Sequence, residues 1–183
     1  IFISVSVFAQ TTAVPDFRFE RVLIDLEIDT DKVVNGFLKT SDVLKVTRLD
    51  VSGKGIYDLT GIEDFTSLTY FNCSKNKLTG VNISSLIHLE EFICNQNEIT
   101  DLDLSKNEQL LVIGCSINKL SKLNLTSALS VVKVCCADNQ LECLKVNNKS
   151  LVYLNCNNNN LAELDFSNAS NLEKLLCSSN KLE

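Results

Sequence analysis

The residues of this chain with most capacity for chemistry are its eight cysteines, and six of them obey one pattern. Cys-x-x-Asn-x-(Leu/Ile) returns every 20 or 21 residues, with cysteine at Cys73, Cys94, Cys115, Cys136, Cys156 and Cys177 and asparagine at Asn76, Asn97, Asn118, Asn139, Asn159 and Asn180. A zinc site would gather ligands a few residues apart, which this spacing does not do. A disulfide wants converging Cβ atoms about 3.8 Å apart, whereas equivalent residues on stacked strands lie parallel at about 4.8 Å. The column is therefore expected to be a ladder of buried free thiols acting as small hydrophobes, in a slot that Val51 fills in an earlier, degenerate copy. Cys135 and Cys143 stand outside it, the first at an outward strand position and the second in the turn region of the same coil. For these two the sequence leaves open a mutual disulfide, a bond to another chain, or free thiols.

Other chemistry is thin. The only histidine, His88, sits between repeats beside Leu89, with no serine or cysteine at a spacing that suggests a nucleophile and base. The carboxylate pairs Glu90-Glu91 and Glu63-Asp64 are adjacent, so on strands they would face opposite ways and could not share a substrate bond. The stretch from Asp29 to Asp42 places Asp29 and Asp31 as the first two ligands of an EF-type loop. Its glycine, Gly36, comes two residues late, so a polar loop with an Asn35-Gly36 turn is favoured. The expectation is no catalytic residue, no metal and no cofactor.

The elements that would position these residues follow from the repeat. The coils begin at Leu68, Leu89, Leu110, Val131, Leu151 and Leu172 and share the frame L-x-x-L-x-C-x-x-N-x-L-x-x-L-x-L, with the degenerate first coil starting at Val46. Apolar residues at alternate positions in L-x-L-x-C indicate a strand with one buried face. A fixed period of this size indicates a solenoid, each coil burying its apolar side against its neighbours. The fold class expected is thus parallel β-strands stacked coil on coil, about seven coils, with little helix in the repeats and a body on the order of 35 Å long. The Asn column can satisfy backbone groups left unpaired where the chain turns out of the strand.

Before the repeats the rhythm changes. Phe19, Val22, Leu23 and Leu26 follow helical spacing from Asp16, a candidate N-cap, so a short amphipathic helix should close the end of the core. The opening IFISVSVFAQTT is too short to span a bilayer and is consistent with the tail of a secretory signal cleaved after Ala9. The division is then 1–9 signal remnant, 10–45 N-terminal cap with helix and polar loop, and 46–183 solenoid.

A net charge of −6 and a pI near 4.9, with no Lys/Arg cluster, argue against nucleic acid as a partner. Binding positions would be those on each strand that point away from the core. One column runs Asn72, Ile93, Gly114, Cys135, Asn155 and Leu176, and another Tyr70, Glu91, Val112, Lys133, Tyr153 and Lys174. Tyrosines, opposite charges and aliphatics on one face suit protein or glycan contact better than phosphate. Tyr70, Asn72, Glu91, Ile93, Lys133, Tyr153, Asn155 and Lys174 are the candidate binding surface.

The frame, fullest from Leu89 to Gln109, resembles the nested 21-residue leucine-rich repeats of secreted bacterial proteins, particularly of Bacteroidetes type. The run VTRLDVSGKGIYDLTGIEDFTSLTYFNCSKNKLT is similar to the family's first coil, and VPDFRFERVLIDLEID to its capping segment. The resemblance implies a secreted or cell-surface, non-enzymatic module for recognition or adhesion. The competing expectation is a targeting or spacer array attached to a catalytic domain beyond residue 183.

Overall fold

The computed structural model describes residues 10–146 and 148–183. The expected signal remnant, residues 1–9, lies outside them. Two short strands, β1 (Thr11–Ala13) and β2 (Phe37–Lys39), pair antiparallel and frame helix α1 (Phe17–Asp25), and the four-residue helix α2 (Thr40–Val43) follows directly. Asp16 caps α1 by accepting the Arg18 N–H at 2.8 Å, while its second oxygen accepts the N–H groups of Tyr57 and Asp58. Burial opposes its charge, but these N–H groups outweigh that and hold its pKa below the usual carboxylate value. The helix presents Phe19, Val22 and Leu23 to the core, with the Phe19 ring 6.4 Å from that of Phe65 in the first coil.

From residue 48 onward the chain winds a solenoid. Three-residue strands β3 (Arg48–Asp50), β4 (Tyr70–Asn72), β5 (Glu91–Ile93), β6 (Val112–Gly114), β8 (Lys133–Cys135), β10 (Tyr153–Asn155) and β11 (Lys174–Leu176) form one parallel seven-stranded sheet, so six turns separate its first strand from its last. Each strand's middle residue points into the core, where Phe71 and Phe92 stack at 5.8 Å. The ladder runs on through the cysteine slot: the N–H groups of Cys73, Cys94, Cys115, Cys136 and Cys156 donate to the next coil at 2.7–2.8 Å. On the other side of the coils the backbone is mostly irregular, with a 3-10 turn at Ile62–Asp64 and a small parallel sheet of β7 (Lys122–Asn124) and β9 (Cys143–Lys145).

Two expectations are corrected here. Cys143 lies on strand β9, exposed and in register with Lys122, because the second half of its coil is extended enough to pair with the coil before. Glu63 and Asp64 lie on the 3-10 turn rather than on a strand. Their carboxylates are structural: Glu63 accepts the Gly61 N–H, and Asp64 accepts the Thr12 hydroxyl, which ties the cap ribbon to the first coil.

The polar loop folds on its own side chains. Asp31 accepts from the Val33 N–H and the Asn35 amide, Asp42 accepts from the N–H and hydroxyl of Thr30, and buried Glu20 accepts the N–H groups of Asn35 and Gly36 at 2.9 and 2.8 Å. Gly36 takes φ +86° at the turn, a conformation glycine adopts freely.

Candidate functional site

The repeat builds a lattice, and the lattice presents a face. Beneath that face each ladder asparagine works on two coils at once. The Asn97 amide nitrogen donates to the carbonyls of Cys94 and Cys73, one coil earlier, both at 3.0 Å, while its oxygen accepts the Leu78 N–H at 3.1 Å. Asn118, Asn139, Asn159 and Asn180 repeat the arrangement, and Asn76 does so against the degenerate coil, accepting from Lys54 and Ile56. The residue before each of these asparagines is left-handed, with φ between 55° and 58° at Lys75, Gln96, Ile117, Asp138, Asn158 and Ser179. Sequence reading missed this slot, since only Asp138 and Asn158 are of a type that favours it.

Cys73, Cys94, Cys115, Cys136 and Cys156 are buried, Cys177 is half-buried, and all are free thiols. Burial pushes up the thiols of Cys73, Cys94, Cys115, Cys136 and Cys156, Cys115 to about 12 and Cys156 to about 11, so these five stay protonated and unreactive at neutral pH. Outside the column, Cys135 is half-buried on the sheet face and burial raises its pKa as well. A second asparagine position, also missed, is filled by Asn107 and Asn148: the Asn107 amide donates to Ile83 and Leu86, and that of Asn148 to Leu125 and Ala128.

The register puts the expected surface residues side by side. Across the sheet the contacts run Arg48–Tyr70–Glu91–Val112–Lys133–Tyr153–Lys174, and one pleat further along Asp50–Asn72–Ile93–Gly114–Cys135–Asn155–Leu176. All eight candidate residues therefore share one face. Arg48 and Asp50 join them from the degenerate coil, where the missing cysteine and asparagine hid the frame; counting outward from Val46 would have found them. The Arg48 guanidinium lies 4.0 Å from the centre of the Tyr70 ring, and the Asn72 amide donates to Asp50 at 3.0 Å. Burial opposes the Asp50 charge, but bonds from Ser52 and Asn72 outweigh it and keep its pKa low. Lys133 and Lys174 stand over the Tyr153 ring from neighbouring strands at 5.6 and 5.5 Å. Between these two clusters Ile93, Val112 and Gly114 form an apolar strip beside exposed Glu91, and a Cβ on Gly114 would come within 3.1 Å of the Asn95 side chain.

Solved structures with this architecture are leucine-rich repeat proteins. The functional domain of InlJ from Listeria monocytogenes, which includes a cysteine ladder, matches 95% of this chain at 25% identity with a TM-score of 0.54. A leucine-rich repeat protein of Leptospira interrogans matches 70% of it at 22% identity and a TM-score of 0.64.

The fold is a leucine-rich repeat solenoid.

Internalin C2 from Listeria monocytogenes shares it at 17% identity and a TM-score of 0.53, over 92% of this chain and 98% of its own. The chain spans 49% of the InlJ domain and 36% of the Leptospira protein. No protein-family model matches the sequence, and no curated protein matches it.

The remaining candidates stand apart from this face. His88 is exposed in the turn before Leu89. Beside the small sheet a cleft of about 470 Å³ is lined by Asp101, Asp103, Lys122, Asn124, Cys143 and Lys145, with Lys122 paired to Asp101 at 3.4 Å. Among the described residues no three His, Cys, Asp or Glu side chains group as metal ligands, and no helix is long and apolar enough to cross a membrane.

Proposed function

We propose that this solenoid is a non-enzymatic recognition or adhesion module, secreted or held at the cell surface, that binds a protein or glycan partner through its seven-stranded sheet. The observation that carries it is the contrast on each strand between a repeated inner residue and outer residues that do not repeat. The inner positions keep the coils stacked. The outer ones place two tyrosines, each held by a cation, at the two ends of an apolar strip. Such rings offer a large contact area at low conformational cost, which is what an interface centre needs. Likeness to leucine-rich repeat domains supports the same reading, and export is consistent with the apolar opening run ending at Ala9.

The test is a pair of substitutions, Tyr70→Ala and Tyr153→Ala, screened on peptide and glycan arrays beside the unaltered protein. Because both rings lie on the outside of the sheet, thermal melting should stay within about 2 °C, as for surface changes of under ~0.5 kcal/mol. Array binding should fall at least tenfold. Unchanged binding would move the binding site off this face, and no binding on any array would leave the solenoid a stalk or spacer. Export is checked on protein recovered outside the cell, whose first residue should be Gln10.

A further inference from the structure

The two ends of the described sheet face differ in charge, and among the described residues the lysines toward its C-terminal end make no ion pair. At the N-terminal end Arg48, Asp50 and Glu91 lie within a few residues' reach of each other. At the other, the outward columns of β8, β10 and β11 carry Lys133 and Lys174 and no carboxylate. Neither lysine makes an ion pair among the described residues, where the pairs are Lys119–Glu98 and Lys122–Asp101. The Tyr153 hydroxyl has no hydrogen-bond partner among them either. Glu173 flanks the cluster at the sheet edge, and Asp138, on the opposite flank, is bonded by the Asn158 amide at 2.7 Å.

The lysines also decide what kind of ligand fits. They approach Tyr153 from strands on either side, with their ammonium groups 5.6 and 5.5 Å from the ring centre. A sugar ring stacking on this aromatic would have to displace a lysine. A carboxylate finds two cations and a hydroxyl donor. The cations lie two strand spacings apart, roughly 10 Å, too far for one carboxylate to touch both. In an extended peptide, residues i and i+2 lie roughly 7 Å apart on one side, and glutamate side chains extend that reach.

Resting on the recognition reading above, we propose that Lys133, Tyr153 and Lys174 receive an acidic segment of a protein partner, with carboxylates two or three residues apart spanning the lysines and the Tyr153 hydroxyl donating to one of them. Ile93, Val112 and Leu176 then flank its backbone, and Glu91 sets the limit of the acidic stretch by repulsion.

The experiment is an NMR titration of the whole chain with the peptide acetyl-Ser-Glu-Ser-Glu-Ser-Glu-Ser-amide, against its glutamine counterpart and a galacturonic acid hexamer. The acidic peptide should shift the amides of residues 133, 153 and 174, with an affinity at least fivefold above the glutamine peptide and falling about tenfold from 50 to 500 mM salt. Lys133→Gln with Lys174→Gln should remove at least fivefold of that affinity while leaving the melting curve unchanged. No shifts on the sheet, or shifts that persist in the double variant, would overturn the proposal. Equal binding of the glutamine peptide would overturn the carboxylate preference yet leave the sheet as the binding face, and tighter binding of the uronic acid hexamer would replace the peptide with an acidic glycan. Failure of the recognition reading itself shows separately, as array binding indifferent to both tyrosines.

Discussion

Single residues carry measurable consequences because each is repeated into a column. Asn118→Ala removes an amide that serves three backbone groups in two coils, and buried groups left without partners cost about 1–3 kcal/mol. Urea denaturation followed by circular dichroism should show a loss of that size, and a smaller one for Asn180→Ala, whose coil is partly exposed. Ile117 is a β-branched side chain at φ 58°, where its neighbours in the column are unbranched at Cβ, and it is 47% exposed, so little buried apolar surface is lost by replacing it. Ile117→Asn should therefore raise stability by about 1 kcal/mol. Asp29 is buried with one carboxylate oxygen unpartnered, and burial, joined by the charges of Asp31 and Glu20, raises its pKa despite the Asp31 N–H bond. A raised acid favours the folded state only while protonated: that contribution is complete below the ordinary carboxylate value near 3.8 and disappears as pH climbs through the raised one. Asp29→Asn should be more stable than the parent by about 1 kcal/mol at pH 7, with the difference closing near pH 4. Denaturation curves at the two pH values check it.

Elements meet at points that repetition does not reveal. Gly61 takes φ +100°, and a Cβ built there would fall 2.4 Å from the Ala13 carbonyl oxygen, so the first coil and the cap ribbon dock through a missing side chain. Gly61→Ala should separate cap from coil and cost about 2–4 kcal/mol, seen as a lower melting temperature and faster proteolysis before residue 48. Nothing in the sequence marks this glycine, since its requirement comes from a distant strand. By contrast, the strands, the cysteine column and the helix capped by Asp16 are legible because each is written in local periodicity. Cys143 was misplaced for the opposite reason. Whether a stretch of L-x-x-L-x-L pairs as strand depends on its neighbour, and among the described residues only the coils with Lys122 and Cys143 do so. The sheet face was legible by counting alternate residues, whereas the cations that hold its tyrosines depend on side-chain direction across strands.

For the whole molecule, accessibility sorts the thiols. Native protein treated with an aromatic disulfide reagent at pH 8 should release about one equivalent quickly, from exposed Cys143, and slower ones from half-buried Cys135 and Cys177, while denaturation without reductant should expose all eight. Fewer than eight on denaturation would mean a disulfide and remove the ladder of free thiols from this description. The asparagines have a further consequence, because their bonds point one way. The oxygen of Asn97 closes the turn at Leu78, that of Asn118 the turn at Ile99, and that of Asn139 the turn at Leu120, so every coil is finished by the one that follows it. A ribosome emits the chain from the other end. Each newly made coil therefore waits, its turn amide unsatisfied, until some twenty further residues have emerged, and the solenoid grows with its newest rung always open.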